Sequence, residues 1–146
     1  MFTKILVPTD GSDFSNNAVS AAAQLAHSLH APLLVLHVRS PIDSPHHIEG
    51  GALTQLGEIV KQETEEEERT LLDAALQLAA ANGVPAEAAF VTGYSPYEAI
   101  IRIAREQRCD LIVMASHGRR GLSGLLIGSE TQKVLTHTTI PVLVVR

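Results

Sequence analysis

Short, nearly continuous apolar runs alternate along the chain with stretches whose apolar positions repeat at helical spacing. The runs are Ile5-Leu-Val7, Leu33-Leu-Val-Leu36, Ala88-Ala-Phe-Val91, Asp110 to Ala115 and Pro141-Val-Leu-Val-Val145. Helical patterns fill Ala18 to Leu29, about Glu58 to Ala81, about Pro96 to Glu106 and about Ser129 to Thr136. The alternation predicts five strands and four helices built as βαβ units. Strands that are apolar on both faces belong in a parallel sheet covered on both sides, and right-handed crossovers then give a doubly wound α/β fold. In such a sheet ligands bind at the carboxyl ends of the strands, where the winding reverses.

Several boundaries carry their own markers. Ser95-Pro-Tyr-Glu98 reads as a capping box with proline at the first helical position, and Ser129-Glu-Thr-Gln132 as a second box. Asn82-Gly83 suits a left-handed helix stop, while Asp13 and Ser15 are expected to cap the first helix. Arg39 to Gly57 reads as a long loop holding Pro41, Pro45, Gly50, Gly51 and Gly57. Loops of that length are functional or disordered, and this one leaves the second strand where it can close over a ligand. No internal repeat is present.

A chain of 146 residues, 45% hydrophobic, fits a single domain over residues 1–146 with an adequate core. The net charge of -5 argues against nucleic acid or an anionic membrane as the main partner, since phosphate backbones are held chiefly by clustered Lys and Arg. No stretch approaches the roughly 18 apolar residues of a membrane helix. The single cysteine, Cys109, excludes an internal disulfide framework and fits a reducing compartment, so a cytoplasmic location is expected.

The chemistry concentrates in Met114 to Ser129, which follows a strand and enters a helix. Gly118, Gly121, Gly124 and Gly128 leave room for close approach of a ligand to the backbone, and Gly128-Ser129 stand where the next helix begins. Amides there, with the positive end of the helix dipole, favour an anion. Arg119 and Arg120 add local positive charge, as phosphate partners or as solvated side chains. The spacing is not a Walker A motif, which requires Gly-Lys followed by Ser or Thr. Asp10 is read first as a ligand-binding carboxylate, contacting a ribose or helping to hold Mg2+, and second as the stabiliser of the Asp10-Gly-Ser-Asp13 turn.

Other groups have plainer readings. His117 lies beside the phosphate cradle, but a histidine in a polar loop is more often incidental than catalytic. Asp43, His46, His47 and Glu49 lack a recognised metal-ligand spacing and read as solvated. Gly121-Leu-Ser-Gly124 fails the nucleophile-elbow spacing. Cys109 reads as a buried, inert thiol, and the Glu63 to Glu68 run as the solvated face of the second helix.

Lys4-Ile-Leu-Val-Pro-Thr-Asp-Gly-Ser12, the glycine segment and Ile140-Pro-Val-Leu-Val-Val145 together resemble the universal stress protein family over the whole chain. The resemblance implies strand order 3-2-1-4-5 and the nucleotide-binding pattern G-x2-G-x9-G-[ST]. Gly118 fills the second glycine and Gly128-Ser129 close the pattern, but Ala115 stands in place of the first glycine. It further implies that Pro8, Thr9 and Asp10 border an adenosine, that Val38 meets the adenine through its backbone, and that Met114 and Ala115 line the ribose side. Gly118, Gly128 and Ser129 would hold the phosphates of ATP, with Mg2+ and with Arg119 or Arg120 assisting. A homodimer through Val142, Leu143, Val144 and Val145 is implied as well, since an uncovered edge strand exposes apolar side chains and unpaired backbone groups. The expected role is that of an ATP-binding sensor or regulatory module in the stress response with an unidentified protein partner. The alternatives are a slow ATPase or phosphotransferase, and a nucleotide-free dimeric scaffold.

Overall fold

The computed structural model describes residues 1–41, 54–118 and 127–146. In chain order the elements are β1 (Ile5–Pro8), α1 (Asp13–Leu29), β2 (Leu33–Arg39), α2 (Thr54–Ala81), β3 (Ala86–Thr92), α3 (Pro96–Glu106), β4 (Leu111–Ala115), α4 (Ser129–His137) and β5 (Val142–Val145). The five strands form one parallel sheet in the order β3-β2-β1-β4-β5.

Alternation along the strands divides the core into two layers. Ile5, Val7, Leu33, Val35, Leu111, Val113 and Ala115 pack with α1 and α2 residues such as Ala18, Ala22 and Ala79. Leu6, Leu34, Leu36, Ile112 and Met114 face the other side, against Ile100, Ala104 and Val134 of α3 and α4. The alanine-rich face of α1 explains how close that helix lies: Ala18, Ala22 and Ala23 are wholly buried, and small side chains let the backbone approach the sheet.

Local signals were honoured unevenly. Gly83 follows α2 at φ 77°, as a left-handed stop requires. The second helix starts at Thr54 rather than near Glu58, so Gly57 lies inside a helix and not in a loop. A single internal glycine costs about 1 kcal/mol against alanine, which does not by itself end a helix of this length. The first helix is capped not by Asp13 or Ser15 but by Ser12, whose hydroxyl accepts from the Ser15 amide at 3.2 Å. Ser15 is instead buried, 3.1 Å from the Thr9 hydroxyl.

Neither capping box forms. Ser95 makes no side-chain cap bond, and Glu130 of α4 takes its place, its Oε2 accepting from the Tyr97 amide at 3.0 Å. The cap residue of α4 is Gly128, and Ser129 is the first residue of the helix itself. The Glu63 to Glu68 run is also not uniformly solvated. Glu68 turns inward and receives the Arg39 guanidinium through two hydrogen bonds, and the same guanidinium lies 4.8 Å from the centre of the Phe90 ring.

Candidate functional site

The sheet opens at its own reversal point. Pairing of β1 with β2 runs from Ile5↔Leu33 to Pro8↔Leu36, but pairing of β1 with β4 stops at Leu6↔Ile112. Beyond that point Pro8 to Asp10 and Met114 to Gly118 part, and the crevice between them has the position that doubly wound sheets use for ligands.

One wall is the turn after β1. The Thr9 amide donates to the Leu36 carbonyl at 2.8 Å, and the buried Thr9 hydroxyl accepts from the Gly11 amide at 3.2 Å. Asp10 Oδ1 accepts from the Ser12 amide at 3.0 Å, the turn-stabilising bond of an Asx turn. Its other oxygen points across the crevice: a β-carbon placed on Gly118 would lie 2.6 Å from Asp10 Oδ2. Asp10 therefore serves the turn with one oxygen, the second of its two sequence readings, and meets the glycine segment with the other.

The second strand contributes a residue that sequence inspection passed over. His37 Nδ1 lies 2.8 Å from the Thr9 carbonyl oxygen, and because a carbonyl only accepts, this nitrogen carries the proton. The ring stacks on Phe90 with centroids 6.0 Å apart. Val38 packs against the α3 side of the core, and a β-carbon on Gly93 would touch its Cγ1 at 3.9 Å. The signal available in the sequence was the place of His37, next to Val38 at the carboxyl end of a predicted strand.

The opposite wall is built from β4 and α4. Met114 is buried on the α3–α4 side, whereas Ala115 sends its methyl group into the α1–α2 layer. Ala115 keeps strand pairing with Val145 and is not among the residues with positive φ, so nothing in its backbone demands glycine. Past it, the Ser116 amide donates to the Val145 carbonyl and the Gly128 amide to the Ser116 carbonyl, both at 2.7 Å. Gly128 sits so close to this peptide that a β-carbon would be 3.1 Å from the Ser116 oxygen. The cap residue Gly128 has no side chain to bond the first-turn amides of α4. Beside Gly118, His117 Nδ1 lies 3.0 Å from the Ser116 hydroxyl, and the imidazole approaches the Phe14 ring at 5.6 Å.

Thus Pro8, Thr9, Asp10, Met114, Ala115, Gly118, Gly128 and Ser129 come from two distant segments to one end of the sheet, with Val38 on the neighbouring strand. Arg119, Arg120, Gly121 and Gly124 lie outside the described residues, as do Asp43, His46, His47 and Glu49. Among the described residues no group of three or more metal-ligating side chains is found, and no helix is long and apolar enough to cross a membrane. Cys109 is buried far from the crevice at the opposite end of β4, and burial pushes its thiol up to about 11, which keeps it protonated and unreactive.

The family model described as the universal stress protein family matches residues 1–146. Universal stress protein YxiE of Bacillus subtilis is 37% identical over 149 residues, covering 100% of both chains. Among solved structures, hypothetical protein MJ0577 of Methanocaldococcus jannaschii superposes with a TM-score of 0.82 at 28% identity, over 99% of this chain and 96% of that one. A universal stress protein solved in complex with cAMP superposes with a TM-score of 0.72 at 27% identity, over 99% and 97% of the two chains. With its whole length matched by that family model and more than a third of its residues shared with YxiE, the chain belongs to the universal stress protein family.

Proposed function

We propose that this chain is a cytoplasmic, homodimeric ATP-binding module that reports nucleotide state to a protein partner during stress, rather than a fast enzyme. The observation that carries the reading is the parting of β1 from β4 after Leu6↔Ile112, with Asp10 on one side and Gly118 and Gly128 on the other. The binding of cAMP by a structural neighbour supports adenine as the base.

In this reading Pro8, Thr9 and Asp10 border the nucleoside, Val38 offers its backbone to the adenine, and Met114 and Ala115 form the ribose floor. Gly118, Gly128, Ser129 and Arg119 hold the phosphates, whose Mg2+ supplies charge neutralisation when bound. Close packing supports the fit: a β-carbon would meet the Asp10 carboxylate at Gly118 and the Ser116 carbonyl at Gly128, so side chains are excluded where the two walls approach each other. The strand geometry of Ala115 removes the main reason for preferring a nucleotide-free scaffold. Dimerisation through Val142 to Val145 is supported by the edge position of β5 and the exposure of Leu143.

The reading is tested by denaturing purified protein and identifying the small molecule it releases. An adenine nucleotide in near-stoichiometric amount is expected; nucleotide-free protein that also ignores added ATP contradicts it. Phosphate release abolished by His117→Ala would instead favour slow hydrolysis, with the imidazole beside the phosphates as proton carrier.

A further inference from the structure

We propose that Thr131 is the positioning residue that sets the preference of the crevice for nucleoside triphosphate over bare nucleoside, an inference that rests on the nucleotide reading above. Thr131 is in the first turn of α4 and its side chain is buried, 4% exposed. Its hydroxyl donates to the Ala115 carbonyl at 2.9 Å. That carbonyl is the end of the β4 ladder. The Ser116 amide of the same peptide turns towards β5, where it meets Val145, so in a trans peptide the Ala115 carbonyl turns the opposite way, towards β1. Pairing with β1 has already ended at Ile112. A buried strand acceptor has thus lost its ladder partner at the point where the sheet opens, and Thr131 supplies the missing donor.

The consequence is a two-point tie between α4 and the crevice floor: Thr131 to Ala115, and the Gly128 amide to the Ser116 carbonyl. The first tie fixes how far the first turn of α4 stands from the floor on which a ribose would lie. It therefore fixes the separation between the nucleoside and phosphate halves of the site. Glu130, one residue earlier, ties the same turn to α3 through the Tyr97 amide and cannot replace this contact, because it faces away from β4. Removing only the Thr131 hydroxyl leaves the nucleoside half intact and lets the phosphate half drift.

The test is a titration of the full chain, stripped of nucleotide, with adenosine and separately with ATP and Mg2+, for the wild type, Thr131→Val and Thr131→Ser. Thr131→Val, which keeps the branched shape, is expected to weaken ATP about tenfold and adenosine by less than about twofold. Thr131→Ser, which restores the hydroxyl, is expected to return the ratio of the two affinities to its wild-type value even where thermal stability stays lower. Equal weakening of both ligands by Thr131→Val, or an unaltered ratio, overturns the proposal and leaves Thr131 a structural residue. A ratio that Thr131→Ser fails to restore also overturns it. A wild type that binds neither ligand refutes the nucleotide reading itself, a result distinguishable from the others because no variant is needed to see it.

Discussion

The Asp10 carboxylate occupies the space above Gly118: its Oδ2 would stand 2.6 Å from a β-carbon there, although 108 positions separate the two residues in the chain. This contact joins the turn after β1 to the glycine segment after β4. It makes the proposed nucleotide site depend on a side chain missing from Gly118 as much as on the carboxylate present at Asp10.

Gly118→Ala is therefore expected to displace the Asp10 carboxylate without disturbing the core, since the atom it strikes is the end of a side chain. Nucleotide affinity should fall about fivefold to tenfold, while unfolding free energy should change by less than about 1 kcal/mol. Calorimetric titration beside a urea melt separates the two effects. A large stability loss with unchanged affinity would show that Asp10 serves only its turn.

Ala115→Gly restores the family glycine pattern, yet no gain in binding is expected. The Ala115 methyl group faces the α1–α2 core and its backbone pairs as ordinary strand. Stability should fall by about 1 kcal/mol from the lost methyl group and the freer unfolded chain, with ATP affinity within about threefold of wild type. A strong rise in affinity would mean that Ala115 obstructs the ligand.

Asp110 gives stability a defined acid dependence. Burial pushes its carboxyl up, but the hydrogen bonds it accepts from the Lys4 amide and from Thr3 outweigh that and hold it below the usual carboxylate range. A depressed folded value stabilises above the unfolded aspartate value of about 3.9 and fades as pH falls through the folded value. Asp110→Asn should accordingly be less stable than wild type by about 1 kcal/mol at neutral pH, with the difference closing below about pH 4. Denaturant midpoints measured from pH 7 to pH 3 check this; a difference that widens on acidification has the wrong sign.

Leu143 lies on the outer strand and is 43% exposed. If β5 joins two copies, Leu143→Asp should weaken the dimer at least about tenfold. Sedimentation velocity across a dilution series would show it. Dimers of unchanged strength would assign the contact to another face.

Much of the fold was legible because it depends on burial and chain reversal. Ile5-Leu-Val7 and the apolar run before Ala115 could only be inner strands, and Gly83 and Pro96 marked helix ends by their own backbone preferences. What escaped depended on partners distant in sequence. Ser95 carries the expected cap residue, but a carboxylate 35 residues later in the chain, Glu130, makes the bond instead. Glu68 belongs to an acidic run, yet Arg39 draws it inward. The candidate site followed the same division. Glycine spacing marked the segment that faces the turn after β1, whereas the His37 contact with Thr9 and the Thr131 contact with Ala115 exist only once the strands lie side by side.

The most direct test of the central claim is calorimetric titration of ATP with Mg2+ into nucleotide-stripped wild type and Gly128→Val. The valine would crowd the Ser116 carbonyl, from which even a β-carbon would be only 3.1 Å. Saturable one-to-one binding by the wild type, lost in a variant whose circular dichroism shows the fold retained, is the predicted result. Equal affinity in both proteins, or no binding by folded wild type, would contradict a nucleotide site between β1 and β4.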